Sequence, residues 1–183
     1  MRNIVAFIGR AGSGKDYQCS LLQKQGYIKL AFADVLREMI RQVLGISEDI
    51  FTTKYDELKQ TELYNGQNLR NMLEALGSCI RSVDEDFFVK ALLKLVTSDE
   101  LIDQNICISD MRYPNEFYYF DNMNSNYTKF KCIFCDYHSE RYQEINNHES
   151  ALLSNNLVKL GYKDLQVLTR SDIDKASCKL MCI

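Results

Sequence analysis

Gly9-Arg10-Ala11-Gly12-Ser13-Gly14-Lys15 has the spacing G-x-x-x-x-G-K, in which a glycine-rich turn curls backbone N–H groups around a chain of phosphates. Lys15 at the end of the turn is placed to reach the outer phosphates, and the helix opened there adds the positive end of its dipole. Such loops place Ser or Thr next, to ligate Mg²⁺; here the residue is Asp16, whose carboxylate could hold the ion through water but brings a negative charge close to the phosphates. A second acid, Asp110, ends the apolar run Ile106-Cys107-Ile108 after Ser109. An acid at the end of a neighbouring strand completes the metal site of P-loop enzymes. Capping of the next helix is the other reading of Asp110.

Phosphoryl transfer needs positioning and positive charge more than a strong base. Arg37, Arg70, Arg81 and Arg112 are the candidate clamps for an acceptor phosphate, because a guanidinium fork matches two phosphate oxygens. Arg70 and Arg81 fall on nearly one face if a single helix runs through Gly77. Arg112 lies just past Asp110, at the carboxyl edge of the sheet where open α/β folds bind ligands. For each arginine a surface ion pair is the competing assignment. Cys132-x-x-Cys135-x-x-His138, with His148 as a fourth group, invites a zinc reading. Steps of three change faces in a strand, however, so buried apolar thiols are the expectation. Phe87 and Phe88 read as core, while Tyr113, Phe117 and Tyr118 are candidates to stack on a nucleobase.

The elements that must position these residues alternate. Asn3–Ile8 reads as a strand covered on both faces, followed by a helix from Lys15 to Gln25 that Gly26 ends. A second strand is expected over Tyr27–Leu30. A helix over Val35–Leu44 follows, with Asp34 as its cap and Gly45 beyond it. The polar stretch Ser47–Gly66 shows no strong period and reads as a mobile insertion. Stripes at Leu69, Met72, Leu73, Leu76 and Ile80, and at Phe87, Phe88, Ala91, Leu92, Leu95 and Val96, predict two more helices. Ile106–Ile108, Phe130–Cys135 and Leu165–Leu168 read as strands, with a helix from Pro114 to about Met123 and a last one over Ser171–Met181. The pattern predicts a three-layer α/β sandwich with a mainly parallel central sheet.

The 183 residues suit one domain, expected to carry a helical substrate-binding insertion at about 47–100 and a lid-like segment at about 137–150. With 22 Lys and Arg against 25 Asp and Glu, the net charge of −3 offers no broad basic face to nucleic acid or to a membrane. Seven cysteines without framework spacing point to reduced thiols, and the run Ile4–Ile8 is far too short to span a bilayer. A cytoplasmic protein is expected, in the host cytoplasm if the chain is viral. Oligomeric state is left open, a homodimer included.

Ser13-Gly14-Lys15-Asp16 within the loop resembles the deoxynucleoside monophosphate kinases of bacteriophages and some bacteria, in which an Asp follows the P-loop Lys. Phe32-Ala33-Asp34-Val35-Leu36-Arg37 is similar to that family's F-A-D-P-L-K, and Arg70-Asn71-Met72-Leu73-Glu74-Ala75-Leu76-Gly77-Ser78 to its R-x-L-L-Q-x-L-G-T. Ile108-Ser109-Asp110-Met111-Arg112-Tyr113-Pro114-Asn115-Glu116 nearly repeats its I-S-D-V-R-F-P-N-E. The chain departs at Tyr17, where the family has Thr, at Glu74, where it has Gln, and at His148-Glu149-Ser150-Ala151, where it has H-x-S-E. Near the end of the strand it has Cys132 or Cys135 where the family has an arginine.

What the resemblance implies is a nucleoside monophosphate kinase-like P-loop fold that transfers the γ-phosphoryl of ATP, with Mg²⁺, to a (deoxy)nucleoside monophosphate. It implies Gly9, Arg10, Ala11, Gly12, Ser13, Gly14, Lys15 and Asp16 at ATP, and Asp16 and Asp110 at the metal. Lys15, Asp16, Asp110 and Arg112 would serve the transfer, and Asp34, Arg37, Arg70, Glu74, Arg81, Arg112 and Glu116 would meet the acceptor. Two other readings stay open: a P-loop kinase of another small metabolite, of the phosphomevalonate or dephospho-coenzyme A type, and a degenerate nucleotide-binding protein without turnover.

Overall fold

The computed structural model describes residues 1–9, 12–135 and 166–168. The elements are β1 (Arg2–Ile8), α1 (Lys15–Gln23), β2 (Ile28–Leu30), α2 (Ala33–Leu44), α3 (Glu48–Thr53), α4 (Tyr55–Leu58), β3 (Glu62–Tyr64) and β4 (Gln67–Asn68), then α5 (Leu69–Val83), α6 (Phe87–Val96), β5 (Ile106–Ile108), α7 (Pro114–Asp121), β6 (Thr128–Cys135) and β7 (Gln166–Leu168). Two compact units form, one from Met1–Ala31 together with the chain from Leu92 onward, the other from Phe32–Ala91.

The first unit is built on a five-stranded sheet in the order β2-β5-β1-β6-β7. Every pairing in it is parallel. β1 lies at the centre, and Ile4 to Ile8 are all fully buried, as an uninterrupted apolar strand requires when both faces are covered. Val5 and Phe7 of β1 pack with Cys107 of β5, Ile133 and Cys135 of β6, and Cys19 and Leu22 of α1 on one face. On the other face α7 sets Phe117 and Phe120 against Phe130, with ring centroids 5.8 and 5.9 Å apart. Helix, sheet and helix make the three layers that the alternating pattern predicted. Arg2 is buried at the start of β1 and donates to the carbonyls of Val96 and Leu101 at 2.9 and 3.2 Å and to Thr128 Oγ1 at 3.2 Å.

In the second unit, Ile40 of α2, Phe51 of α3 and Leu69 of α5 form a core, flanked by Leu44, Tyr55, Leu58, Leu63 and Leu73. The stretch read as a mobile insertion is therefore ordered into two short helices and a hairpin. Ser47 caps α3, its hydroxyl accepting from the Ile50 N–H at 3.5 Å. The hairpin turns on Asn65 and Gly66, at φ 48° and 74°, the pair of left-handed residues that a type I′ turn demands. α5 runs unbroken through Gly77, and Asn68 caps it by accepting from the Asn71 N–H at 3.0 Å.

Most other boundaries match within two or three residues. Asp34 is not the cap of α2: Phe32 holds that position without a side-chain bond, and Asp34 lies in the first turn, where its charge meets the positive end of the helix dipole. Phe117 is fully buried among the rings of the core, so it is not a surface on which a base could stack. The expected lid at 137–150 and the last helix, with His138 and His148, lie outside the described residues.

Candidate nucleotide and phosphate site

β1 ends at Ile8, and the chain turns through Gly9 at φ 138°, Gly12 at 76° and Gly14 at 85° before α1 begins at Lys15. Arg10 and Ala11 lie outside the described residues. Gly9 is required by space as well as by angle: a Cβ there would stand 2.5 Å from the carbonyl oxygen of Cys135 and 2.8 Å from Ser13 Oγ. Gly14 occupies the N-cap of α1 in the left-handed region, with no side-chain cap. Lys15 Nζ folds back over the loop and donates to the Gly9 carbonyl at 2.8 Å and to Ser13 Oγ at 3.4 Å.

The surroundings of Lys15 define the site electrically. Burial, its largest influence, pushes the ammonium below its ordinary pKa, and Arg112 pushes the same way, while Asp16 and Asp110 oppose. Asp110, two residues beyond the end of β5, and Arg112 are thus close enough to the loop lysine for their charges to act on it. Burial raises the Cys135 thiol to about 12, so it stands beside the lysine as a neutral group at ordinary pH.

Asp110 does not cap α7. The N-cap is Tyr113, with Pro114 following at the first helical position. At this end Glu116 Oε2 accepts from the backbone N–H of Arg112 at 2.6 Å and of the N-cap Tyr113 at 3.0 Å. Glu116, placed by resemblance at the acceptor, is 2% exposed and fixes the backbone that carries Arg112. The i, i+3 spacing from Tyr113 to Glu116 is the signal that could have disclosed this, although Tyr replaces the usual Ser or Thr.

Asp16 has a partner that the sequence reading missed. Lys29 of β2 meets its Oδ1 at 2.6 Å; burial, the largest single influence, lowers the Lys29 pKa, but this bond and the carboxylate's charge together outweigh it and raise the pKa above its ordinary value. Nothing in the linear pattern of β2 singled Lys29 out; it comes to Asp16 through the pairing of β2 with β5 beneath α1.

The remaining expected residues lie in the second unit. Arg37 bonds Asp34 at 2.7 Å and Tyr55 Oη at 3.1 Å. Arg70 pairs with Glu74 at 3.0 Å, and Arg81 stands 4.7 Å over the ring of Phe88. Phe88 is buried while Phe87 is more than a third exposed. Cys132 and Cys135 are both buried free thiols, and only Cys135 belongs to the core cluster on the α1 side, as a step of three along a strand dictates. Among the described residues no cluster of three or more His, Cys, Asp or Glu forms a metal cage, and no helix is long and apolar enough to cross a membrane.

The parallel sheet, the helices on its two faces and the glycine turn leading into α1 form a three-layer α/β sandwich with a P-loop. No protein-family model matches the chain, and no curated protein does. Among solved structures it is similar to a dephospho-CoA kinase from Campylobacter jejuni, at 11% identity over 100% of this chain and 96% of that one, with a TM-score of 0.51. It is also similar to TT1252 from Thermus thermophilus, at 15% identity over 99% of this chain and 97% of that one, with a TM-score of 0.50. At such identities the likeness is one of fold.

Proposed function

We propose that the chain transfers the γ-phosphoryl of ATP to a (deoxy)nucleoside monophosphate. The observation that carries the reading is the convergence on Lys15 of the glycine turn, Asp110 and Arg112. In this reading the N–H groups of the turn and of the first turn of α1 bind the donor phosphates. Lys15 exchanges the Gly9 carbonyl for an outer phosphate, a change favoured by the replacement of a neutral acceptor with an anion in a partly buried site. Arg112, its backbone fixed by Glu116, binds the acceptor phosphate with its fork.

Asp110 and Asp16 are hard oxygen donors of the type that Mg²⁺ takes, and two carboxylates with phosphate oxygens and water suit an ion that keeps much of its hydration. Asp16 would have to release Lys29 to take part. When bound, the ion would offset charge spread over the phosphoryl oxygens.

The signature Ile108–Glu116 favours a nucleotide acceptor, and the fold match to a dephospho-CoA kinase supports a second reading in which the acceptor is the hydroxyl of a dephospho-coenzyme A-like molecule. A coupled assay of ATP consumption over the common nucleoside and deoxynucleoside monophosphates, with dephospho-coenzyme A alongside, decides between them. Turnover confined to the monophosphates supports the proposal. Turnover with dephospho-coenzyme A alone replaces it, and ATP binding without turnover on any acceptor marks a degenerate kinase.

A further inference from the structure

An acid at position 16 poses a physical problem for a phosphate loop. It adds a full negative charge in the first turn of α1, where the helix dipole and the glycine turn would attract an anion. The fold supplies a counter-charge from a separate element. Lys29 pairs in register with Cys107 of β5, whose Sγ lies 3.8 Å from the Cys19 carbonyl of α1, so Lys29 stands on the sheet face that α1 covers. From there its ammonium reaches Asp16 Oδ1 at 2.6 Å, and the side chains are 31% and 81% exposed respectively.

We infer that Lys29 is a positioning residue that neutralises Asp16 and draws its carboxylate toward β2, which lets a loop with an acid after its lysine accept a polyphosphate. The inference rests on the phosphate-loop reading above. It differs from a role as a phosphate ligand because Lys29 acts through Asp16: removing both charges together should cost little, whereas removing the lysine alone leaves the acid facing the phosphates. It differs from a structural role because an ion pair this exposed contributes little to folding.

The test is calorimetric titration of ATP, in EDTA so that no metal competes for Asp16, into the wild type, Lys29→Met, Lys29→Arg, Asp16→Asn and the double variant Asp16→Asn/Lys29→Met. The expected result is a dissociation constant raised about tenfold in Lys29→Met, a change of about 1.4 kcal/mol. Lys29→Arg and the double variant should stay within about twofold of the wild type, Asp16→Asn should bind at least as tightly, and the Lys29→Met defect should shrink in about 0.5 M salt. Melting temperatures should agree across the set.

A Lys29→Met affinity within about twofold of wild type overturns the inference and leaves the phosphate loop standing. So does a double variant as weak as Lys29→Met, which would make Lys29 a direct phosphate ligand. Wild-type binding of ATP only when Mg²⁺ is present also overturns it, because the metal and not the lysine would then offset Asp16. Wild type that binds ATP under neither condition overturns the phosphate-loop reading itself.

Discussion

Glu116 Oε2 holds the backbone N–H of Arg112 at 2.6 Å and that of Tyr113 at 3.0 Å, tying the start of α7 to the residue that the proposal gives to the acceptor phosphate. Glu116→Ala leaves two backbone donors without that acceptor in a largely buried corner. We predict a loss of about 1–3 kcal/mol in urea unfolding, together with a weaker acceptor and an unchanged ATP affinity. An unfolding midpoint equal to the wild type would show that water replaces the carboxylate at no cost.

Arg112→Lys keeps the charge and loses the fork. The acceptor dissociation constant should rise roughly tenfold to a hundredfold while that of ATP barely moves. Separate titrations of the two nucleotides check it; equal weakening of both would move Arg112 to the donor side.

For Lys15→Met we expect phosphoryl transfer to be abolished with no loss of folding stability. Burial lowers the pKa of this lysine in the folded chain, so the folded state binds the proton less tightly than the unfolded chain does. A base shifted this way subtracts stability at every pH below its folded value, and the subtraction fades as the pH rises through that value toward the unfolded one. Methionine removes the penalty, and its melting temperature at neutral pH should equal or exceed the wild type. A fall comparable to a core cavity, about 3 kcal/mol, would identify the lysine as structural.

Asp110→Asn should lower turnover, with partial recovery at high Mg²⁺, because an amide is a poorer ligand for a hard cation than a carboxylate. Identical rates at all Mg²⁺ concentrations would take Asp110 out of the metal site.

Gly9→Ala tests the loop's dependence on a missing side chain. The methyl would meet the Cys135 carbonyl oxygen at 2.5 Å in a residue held at φ 138°, so backbone must move. A destabilisation of about 2 kcal/mol or more is expected from chemical denaturation, with ATP binding lost. Alanine at Gly26, where nothing lies within 4 Å, is the control for positive φ alone.

The parts of this fold that could be read from the chain are those whose residues speak locally. The apolar run of β1, the stripes of α2, α5 and α6, and Pro114 at the start of α7 each carry their own period or stop signal. The region 47–66 did not, since α3 and α4 are too short to display a repeat and their order comes from Phe51, Tyr55 and Leu58 packing on residues far along the chain. Asn65-Gly66 is nevertheless a hairpin-turn pair legible in the sequence itself. In the site, the loop and Asp110 were visible as motifs. Lys29 and the Glu116 bonds were not, because one depends on which strand pairs with which and the other on a backbone donor that has no letter in the sequence.

Arg2 and Thr128 bond across 126 residues, and β1 finds its two partners only at Ile106–Ile108 and Thr128–Cys135. During synthesis, therefore, β1, whose Ile4–Ile8 run is fully buried in the finished sheet, waits unpaired while about a hundred residues follow it, the circumstance in which nascent chains stick to one another. Chains released before residue 128 should accordingly pellet or be retained by a holding chaperone where the longer chain stays in solution; equal solubility of the two would show that β1 is shielded by some earlier contact.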